Sequence, residues 1–547
     1  MKSIILLAAS SISLSGLFGC FSNGEPAGDP DARARNGSRL VDFETSCGRL
    51  AGEQFSSAVE LLHSFEYPES GRAFRSIVIA HPDCAMARWG IAMSLWHPLW
   101  ELPRDDDLAA GAAMLAAIDR SSLTPRESAY VDALTIFYTD FNSLAHGLRA
   151  EAYAKRMQRV YLDYPADPEA AVLYALALLA TADPTDKSYA KQLEAAGILD
   201  AVRADQPHHP GVLHYLIHSY DYPRLAQLAL DAATIYAGVA PDSAHAQHMP
   251  SHIFTRLGLW ERSIASNHDS TASAAAYTRR AGLAGHYDEG LHSIDYLMYA
   301  LLQVARDNEA RELLDELRAI GGTNVQNFKV AYTYAASPAR YALERRQWAE
   351  AAELTPLPSR FPWESFEWAR SIHHFARGIG AARSGQLELA RPELDVIREI
   401  AMSLPATTFP YWREEVFVHI DVLSAWIALG EGDASAALQL AAAAAAREDA
   451  VDKHPVTPGE VLPARELFAD LLLELGMTTE ALVEYEKVLA RSRNRANAIL
   501  GAARAAAGSG RAAVATRYYE ALLEQVTAGN LEREGLSEAR AYLASNE

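Results

Sequence analysis

The 547-residue chain is 50% hydrophobic and 22% charged, the composition of a large folded protein with room for several domains or one long repeat array. Acidic residues outnumber basic ones 70 to 49, a formal charge of −21, which argues against a phosphate-tracking nucleic-acid groove and against simple electrostatic docking on anionic lipid. After the first twenty residues no apolar run reaches the length of a membrane span.

Residues 1–19 read as a lipoprotein signal peptide. Lys2 supplies a short positive start, Ile4 to Phe18 is mostly apolar, and Leu17-Phe18-Gly19-Cys20 has the aliphatic and small residues that a lipobox places before its acylated cysteine, with Phe18 bulkier than usual. Cys20 is then the lipidation site. Residues 20–41, rich in Ser, Gly, Pro and Asp, read as a flexible tether. No Asp follows Cys20 directly, and by resemblance to enterobacterial sorting rules this gives an outer-membrane anchor facing the periplasm of a bacterial envelope. In such an oxidising compartment Cys47 and Cys84 are candidates for a disulfide, the alternative being two buried thiols.

The body is rich in Ala, Leu, Glu and Arg at helical spacing, with almost no two-residue alternation. Residues 42–335 form the less regular helical half. Phe55, Val59, Leu62, Ala73, Phe74 and Ile77 are spaced for a packed helical pair, and Pro82 stops the second helix. Ten of the 18 histidines fall between His208 and His292. HYLIHSYD (214–221) puts His214 and His218 four residues apart on one helical face. HMPSHIF contributes His248 and His252, with His245 just upstream, and GHYDEGLHSIDY adds His286, Asp288, His292 and Asp295. Paired imidazoles on one face are a common start to a metal site, and zinc or copper suits such ligands. The candidate ligands are His214, His218, His245, His248, His252 and His286. Asp221, Asp288, His292 and Asp295 are candidates for orienting a bound imidazole or acting as base. His218, His252 and His286 are spaced by 34 residues, which predicts a ladder along one surface. Pro250 favours a first helical position, leaving His245 and His248 in the preceding turn and giving two separate clusters. The competing reading is structural: histidines packed in the array, with Asp221 serving His218 and Asp295 serving His292. His63 and His97 lie among aromatics and read as core.

Residues 336–547 carry the clearer repeats. Gly385, Gly432, Gly476 and Gly510 each precede an alanine by five residues, and the last two are 34 apart, with Tyr485 matching Tyr519 and Val488 matching Leu522. The glycine turns the chain between two helices and the alanine lets them approach. The segment 341–354 reads as another such hairpin without the glycine. No phosphate-binding loop, GxSxG, CxxC or HExxH occurs.

These repeats, with SCGRL (46–50), LLHSF (61–65), HPDCAMARWGIAMSLWHPLW (81–100), HYLIHSYD, HMPSHIF (248–254) and NRANAILGAARAA (494–506), resemble a His-rich group of exported bacterial tetratricopeptide-repeat (TPR) proteins. The resemblance implies an all-α fold, a right-handed α-solenoid of TPR-like hairpins, and strengthens the pairing of Cys47 with Cys84. It implies no settled reaction. The leading expectation is a lipid-anchored scaffold for a protein or peptide, with Asn494, Arg495, Asn497 and Arg504 as a carboxylate-gripping patch or a solvated polar face. The alternative is a zinc- or copper-binding protein or metal-dependent enzyme built on the His-rich segment.

Overall fold

The computed structural model describes residues 40–99, 102–526, 533 and 535–546. The leader, Cys20 and all of the tether before residue 40 lie outside the described residues. Among the described residues there is no β-strand, and no helix is long and apolar enough to cross a membrane.

The helices form antiparallel hairpins in chain order. Each packs on its successor, and in the second half alternate helices also pack on one another. In the second half one layer runs Asp288–Gln303, Phe328–Leu343, Glu367–Arg383, Pro410–Gly430, Ala464–Glu474 and Ala496–Gly508. This is a TPR-like α-solenoid. Burial separates the two layers: Asp288–Gln303 and Phe328–Leu343 are buried almost all round, while their partners bury a single stripe, such as Ala481, Leu482, Tyr485 and Val488 in Thr478–Arg491.

The glycine-to-alanine spacing has a backbone cause. Gly385, Gly432, Gly476 and Gly510 all turn with φ between +74° and +87°, a region that side chains with a Cβ resist. Ala390, Ala437, Ala481 and Ala515 are fully buried at the helix crossings that follow. The hairpin lacking glycine does the same with Arg346, at φ +57°. Near the start of the body, Cys47 and Cys84 are joined in a disulfide across 37 residues, tying the entering chain to the turn after Tyr67–Ala80.

The solenoid closes on itself. The Trp260 indole N–H donates to the Asn494 carbonyl at 2.9 Å, the Ala496 N–H to Gln303 at 3.0 Å, and the Arg533 guanidinium to the Leu302 carbonyl at 2.6 Å. Residues 451–463 run without regular structure through the interior and are almost wholly buried. Their backbone carbonyls are satisfied by side chains of the inner layer. Tyr296 reaches the Pro455 and Thr457 carbonyls at 3.0 Å each, and Arg340 the Glu460 carbonyl at 2.7 Å. The chain's own segment therefore occupies the interior that faces the histidine helices.

Candidate metal centre

His214 and His218 stand one turn apart on Pro210–Tyr220, a helix buried on every side. Two short helices follow, Ala244–His248 and Pro250–Arg256. Pro250 does occupy the first position of the second one, but Met249 keeps right-handed helical angles (φ −52°, ψ −37°). The backbone therefore runs on through the junction. His248 and His252 remain one turn apart with their Nε2 atoms 3.0 Å from each other, which corrects the expectation that Pro250 strands His245 and His248 in a turn.

The side chains gather into two triads, His214–His218–His245 and His248–His252–His292, in each of which three ligand-type atoms lie within 4.8 Å of one another. The triads are neighbours. The His218 and His252 ring centroids are 6.1 Å apart. All six rings are buried, His218 being the most open at 7% exposure. Burial pushes the imidazoles of His214, His218, His248 and His292 well below their ordinary pKa, and that of His252 down to about 4. These five rings are thus neutral, the form that ligates metals.

The hydrogen bonds behind the rings fix which nitrogen carries the proton. His214 Nδ1 is 2.7 Å from the His63 carbonyl and His245 Nδ1 is 3.1 Å from a Glu289 carboxylate oxygen. His248 Nδ1 is 2.7 Å from the Asn267 amide oxygen and His252 Nδ1 is 2.9 Å from Asp221. Asn267 is itself oriented, because its amide nitrogen donates to the Ser263 carbonyl at 2.7 Å. Each of these Nδ1 atoms faces an acceptor and carries the ring's N–H, so each Nε2 presents a lone pair, that of His214 also lying 3.1 Å from the His218 Nε2. Yet His214 and His245 Nε2 approach to 3.2 Å, and His248 and His252 Nε2 to 3.0 Å. Opposed lone pairs in a buried space call for a proton or a cation between them, and burial disfavours the proton. The chemistry of these donors fits a metal ion in each triad.

A third cluster looks similar by residue type and differs in its protons. His63 and His209 each point Nε2 at one oxygen of Glu169, at 2.9 and 2.8 Å. Their Nδ1 atoms accept from the Tyr215 hydroxyl at 2.9 Å and the Val212 N–H at 3.3 Å. Every donor has an acceptor. Burial alone raises the Glu169 pKa, but His63 and His209 outweigh it and hold the carboxyl well below its usual range. This cluster is a satisfied structural brace, so His63 belongs to the core as its aromatic surroundings suggest.

The other expected residues are distributed differently from their sequence order. The ladder does not form at His286, which sits ahead of the helix Asp288–Gln303 with its backbone paired to Gly322 and Asn324. The 22-residue helix Trp260–Ala281 and its loop displace the period, and His292 arrives where His286 was expected. The His292 Nδ1 is buried and has no hydrogen-bond partner among the described residues. Asp221 does not serve His218. It accepts from His252, from Arg256 at 2.8 Å and from Lys453 at 3.1 Å, and these two cations outweigh burial to hold its pKa well down. Burial lowers Lys453 to about 8. Asp295 pairs with Arg340 at 3.1 Å, not with His292. Asp288 is bound by Asn327 at 2.9 Å and Lys329 at 2.7 Å, away from the Nε2 atoms. Glu289, Asn267 and Lys453 were missed. Glu289 carries a faint signal, one helical turn before His292, whereas Lys453 approaches from more than 200 residues away.

The four residues expected to grip a carboxylate divide: Arg495 and Asn497 are buried, Asn494 is exposed and Arg504 partly so. Arg495 is 0% exposed and clamped by Glu344 at 2.7 Å and Glu466 at 2.6 Å. Asn497 donates to the Glu344 carbonyl and Asn494 to the Gly258 carbonyl, at 3.0 and 3.2 Å. Arg504 pairs with Glu538 at 2.7 Å. Arg495 and Asn497 are engaged where the last repeats meet the middle of the chain, while Asn497 and Arg504 also line a cavity with Arg346 and Arg383.

A cavity of about 430 Å³, lined in part by Tyr67, His97 and Lys329, ends against Phe65 and Glu289. Phe65 turns with φ +56° and lays its ring 4.3 Å from His214 and 5.6 Å from His245. It forms the wall between that cavity and the first triad.

No family model and no curated protein matches this chain. Among solved structures it is similar to the P58(IPK) TPR domain, with 15% identity, a TM-score of 0.21 and coverage of 70% of this chain and 99% of that one. It is also similar to Naa15/Naa10 bound to HypK-THB, with 13% identity, a TM-score of 0.19 and coverage of 91% and 80%.

Proposed function

We propose that this chain is a transition-metal protein, a closed TPR-like stack in which each of two buried histidine triads holds one ion of zinc or copper. The observation that carries this reading is the pair of opposed Nε2 atoms of His248 and His252, 3.0 Å apart, with the ring protons committed to Asn267 and Asp221 behind them. Three protein ligands per ion leave a position free for water or substrate, the pattern of catalytic rather than purely structural zinc sites. Glu289 and Asp221 fix two of the ligands from behind, the usual role of a carboxylate on a metal-bound imidazole. Asp288 and Asp295 are engaged elsewhere and are not proposed as bases.

The test is metal counting on the full chain, exposed to limiting zinc or copper and passed through a chelating column. Two ions per chain are expected, falling to one in His214→Ala and in His252→Ala. A folded wild-type protein that retains no metal overturns the reading.

The repeat fold also supports a protein partner on the outer helices, where large apolar side chains such as Ile79 and Met402 stand 83% and 80% exposed. We place the protein at a bacterial envelope, held by lipid on Cys20. The Cys47–Cys84 disulfide supports an oxidising compartment.

A further inference from the structure

We infer that the two triads act as one paired copper centre whose ligand is dioxygen. This rests on the metal-binding reading and adds three things to it: the identity of the ions, their coupling, and the molecule they meet.

The pairing follows from placement. The rings of His218 and His252, one from each triad, are 6.1 Å apart. His252 is itself 4.9 Å from His248 and 5.9 Å from His292, and His214 is 4.8 Å from His218 and 5.0 Å from His245. Six rings thus form one continuous cluster, capped by Phe65 at one end and Tyr296 at the other. Ions held about 2 Å from their nitrogens sit inside this single cluster, where one small molecule can bridge both.

Charge selects the ion. All six candidate donors are imidazoles, ligands that bring no anionic charge to an ion. The carboxylates nearby are already balanced: Asp221 lies against Arg256 and Lys453, and Lys329 lies between Asp288 and Glu289. Asp221, Asp288 and Glu289 each lie against one of these cations, so they have little charge left to offset incoming ions. Burying uncompensated charge is expensive. Two divalent ions bring twice the charge of two copper(I) ions, which imidazole also suits.

Dioxygen leaves that balance unchanged. Each copper(I) gives up one electron, O2 takes the two, and two copper(II) ions with a peroxide dianion carry the same total charge as before. No proton and no further reductant is needed. The cavity on the far side of Phe65 stops at that ring, which alone stands between it and His214, so a small molecule reaching the first triad from there has one side chain to pass.

The experiment loads the full chain with copper(I) under anaerobic conditions, counts the metal, and then admits air while recording absorption and electron paramagnetic resonance. Two coppers per chain are expected. A near-ultraviolet charge-transfer band should appear with no copper(II) resonance, because the bridged spins pair. His245→Gln and His292→Gln each open one triad, and each should hold one copper, lose the band and gain the resonance. Two coppers giving the full resonance of independent copper(II), or a band that survives in either variant, would overturn the pairing. Retention of two zinc ions against excess copper(I) would overturn the choice of copper and leave the metal reading standing. Failure to hold either metal would remove the metal reading itself. The wild-type result decides even if a variant does not fold.

Discussion

His248 and His252 face each other Nε2 to Nε2 at 3.0 Å, while their Nδ1 protons are committed to Asn267 and Asp221. Neither ring can turn its proton toward the other without abandoning a buried acceptor. The acceptors behind the ring therefore prepare the lone pairs in front of it.

Asp221 is the first place to test that preparation. In Asp221→Asn the replacement side chain can no longer draw the His252 proton as strongly. Metal affinity should fall about 10–100-fold, the usual effect of losing such a partner, as read by competition with a chromogenic chelator. The variant also leaves Arg256 and Lys453 short of an anion, so its folding should be checked by circular dichroism alongside. Unchanged affinity in a folded variant would detach Asp221 from the site.

Metal removal should destabilise the fold. An ion that binds only the native state adds about 4 kcal/mol when present at a thousand times its dissociation constant. A chelator should lower the melting temperature of the wild type and leave that of a His214→Ala, His252→Ala double variant unmoved. Equal melting curves with and without chelator in the wild type would contradict this.

Glu169→Gln separates the brace from the metal sites. Gln offers one acceptor oxygen where the carboxylate serves both His63 and His209, so one buried donor is left unpaired. The expected loss is on the order of 1–3 kcal/mol in a denaturant titration, with the metal count unchanged. A fall in bound metal would show that this cluster is a ligand set after all.

The disulfide is expected to contribute roughly 4 kcal/mol in the chain-entropy model, given its separation of 37 residues. Cys47→Ser with Cys84→Ser should lower the denaturation midpoint by a matching amount. Equal stability of the oxidised and doubly substituted proteins would place the bridge outside the energetics of the fold.

Glu66 gives a pH signature. Burial pushes its carboxyl up from 4.5 to about 7, though a Ser243 hydroxyl donates to it at 2.6 Å. A carboxyl whose folded value is raised binds its proton more tightly in the native state. Its contribution to stability is thus full below the unfolded pKa and is lost as pH rises through about 7. Glu66→Gln should flatten the stability profile between about pH 4.5 and 7. An unaltered slope in that variant would refute the assignment.

The hairpins were legible from the sequence because their cause is local. A glycine that must turn with φ near +75° and an alanine that must fit a helix crossing leave their mark at fixed spacing, as at Gly476 with Ala481 and Gly510 with Ala515. The pairs His214 with His218 and His248 with His252 were legible for the same reason, since four residues make about one helical turn. The choice of third partner was not. His245 joins His214 across 31 residues and His292 joins His248 across a long helix that breaks the 34-residue period, so counting pointed to His286. Arg495 and Asn497 read as a surface because a repeat shows which face leaves its own hairpin, and not whether a distant hairpin returns to cover it. Only the tertiary structure decided that the solenoid closes, that Arg495 is spent on Glu344 and Glu466, and that Lys453 reaches Asp221. Local periodicity sets the helices and their turns. The accumulated rotation of many hairpins brings the ends of the chain onto its middle, and no short window of residues records that sum.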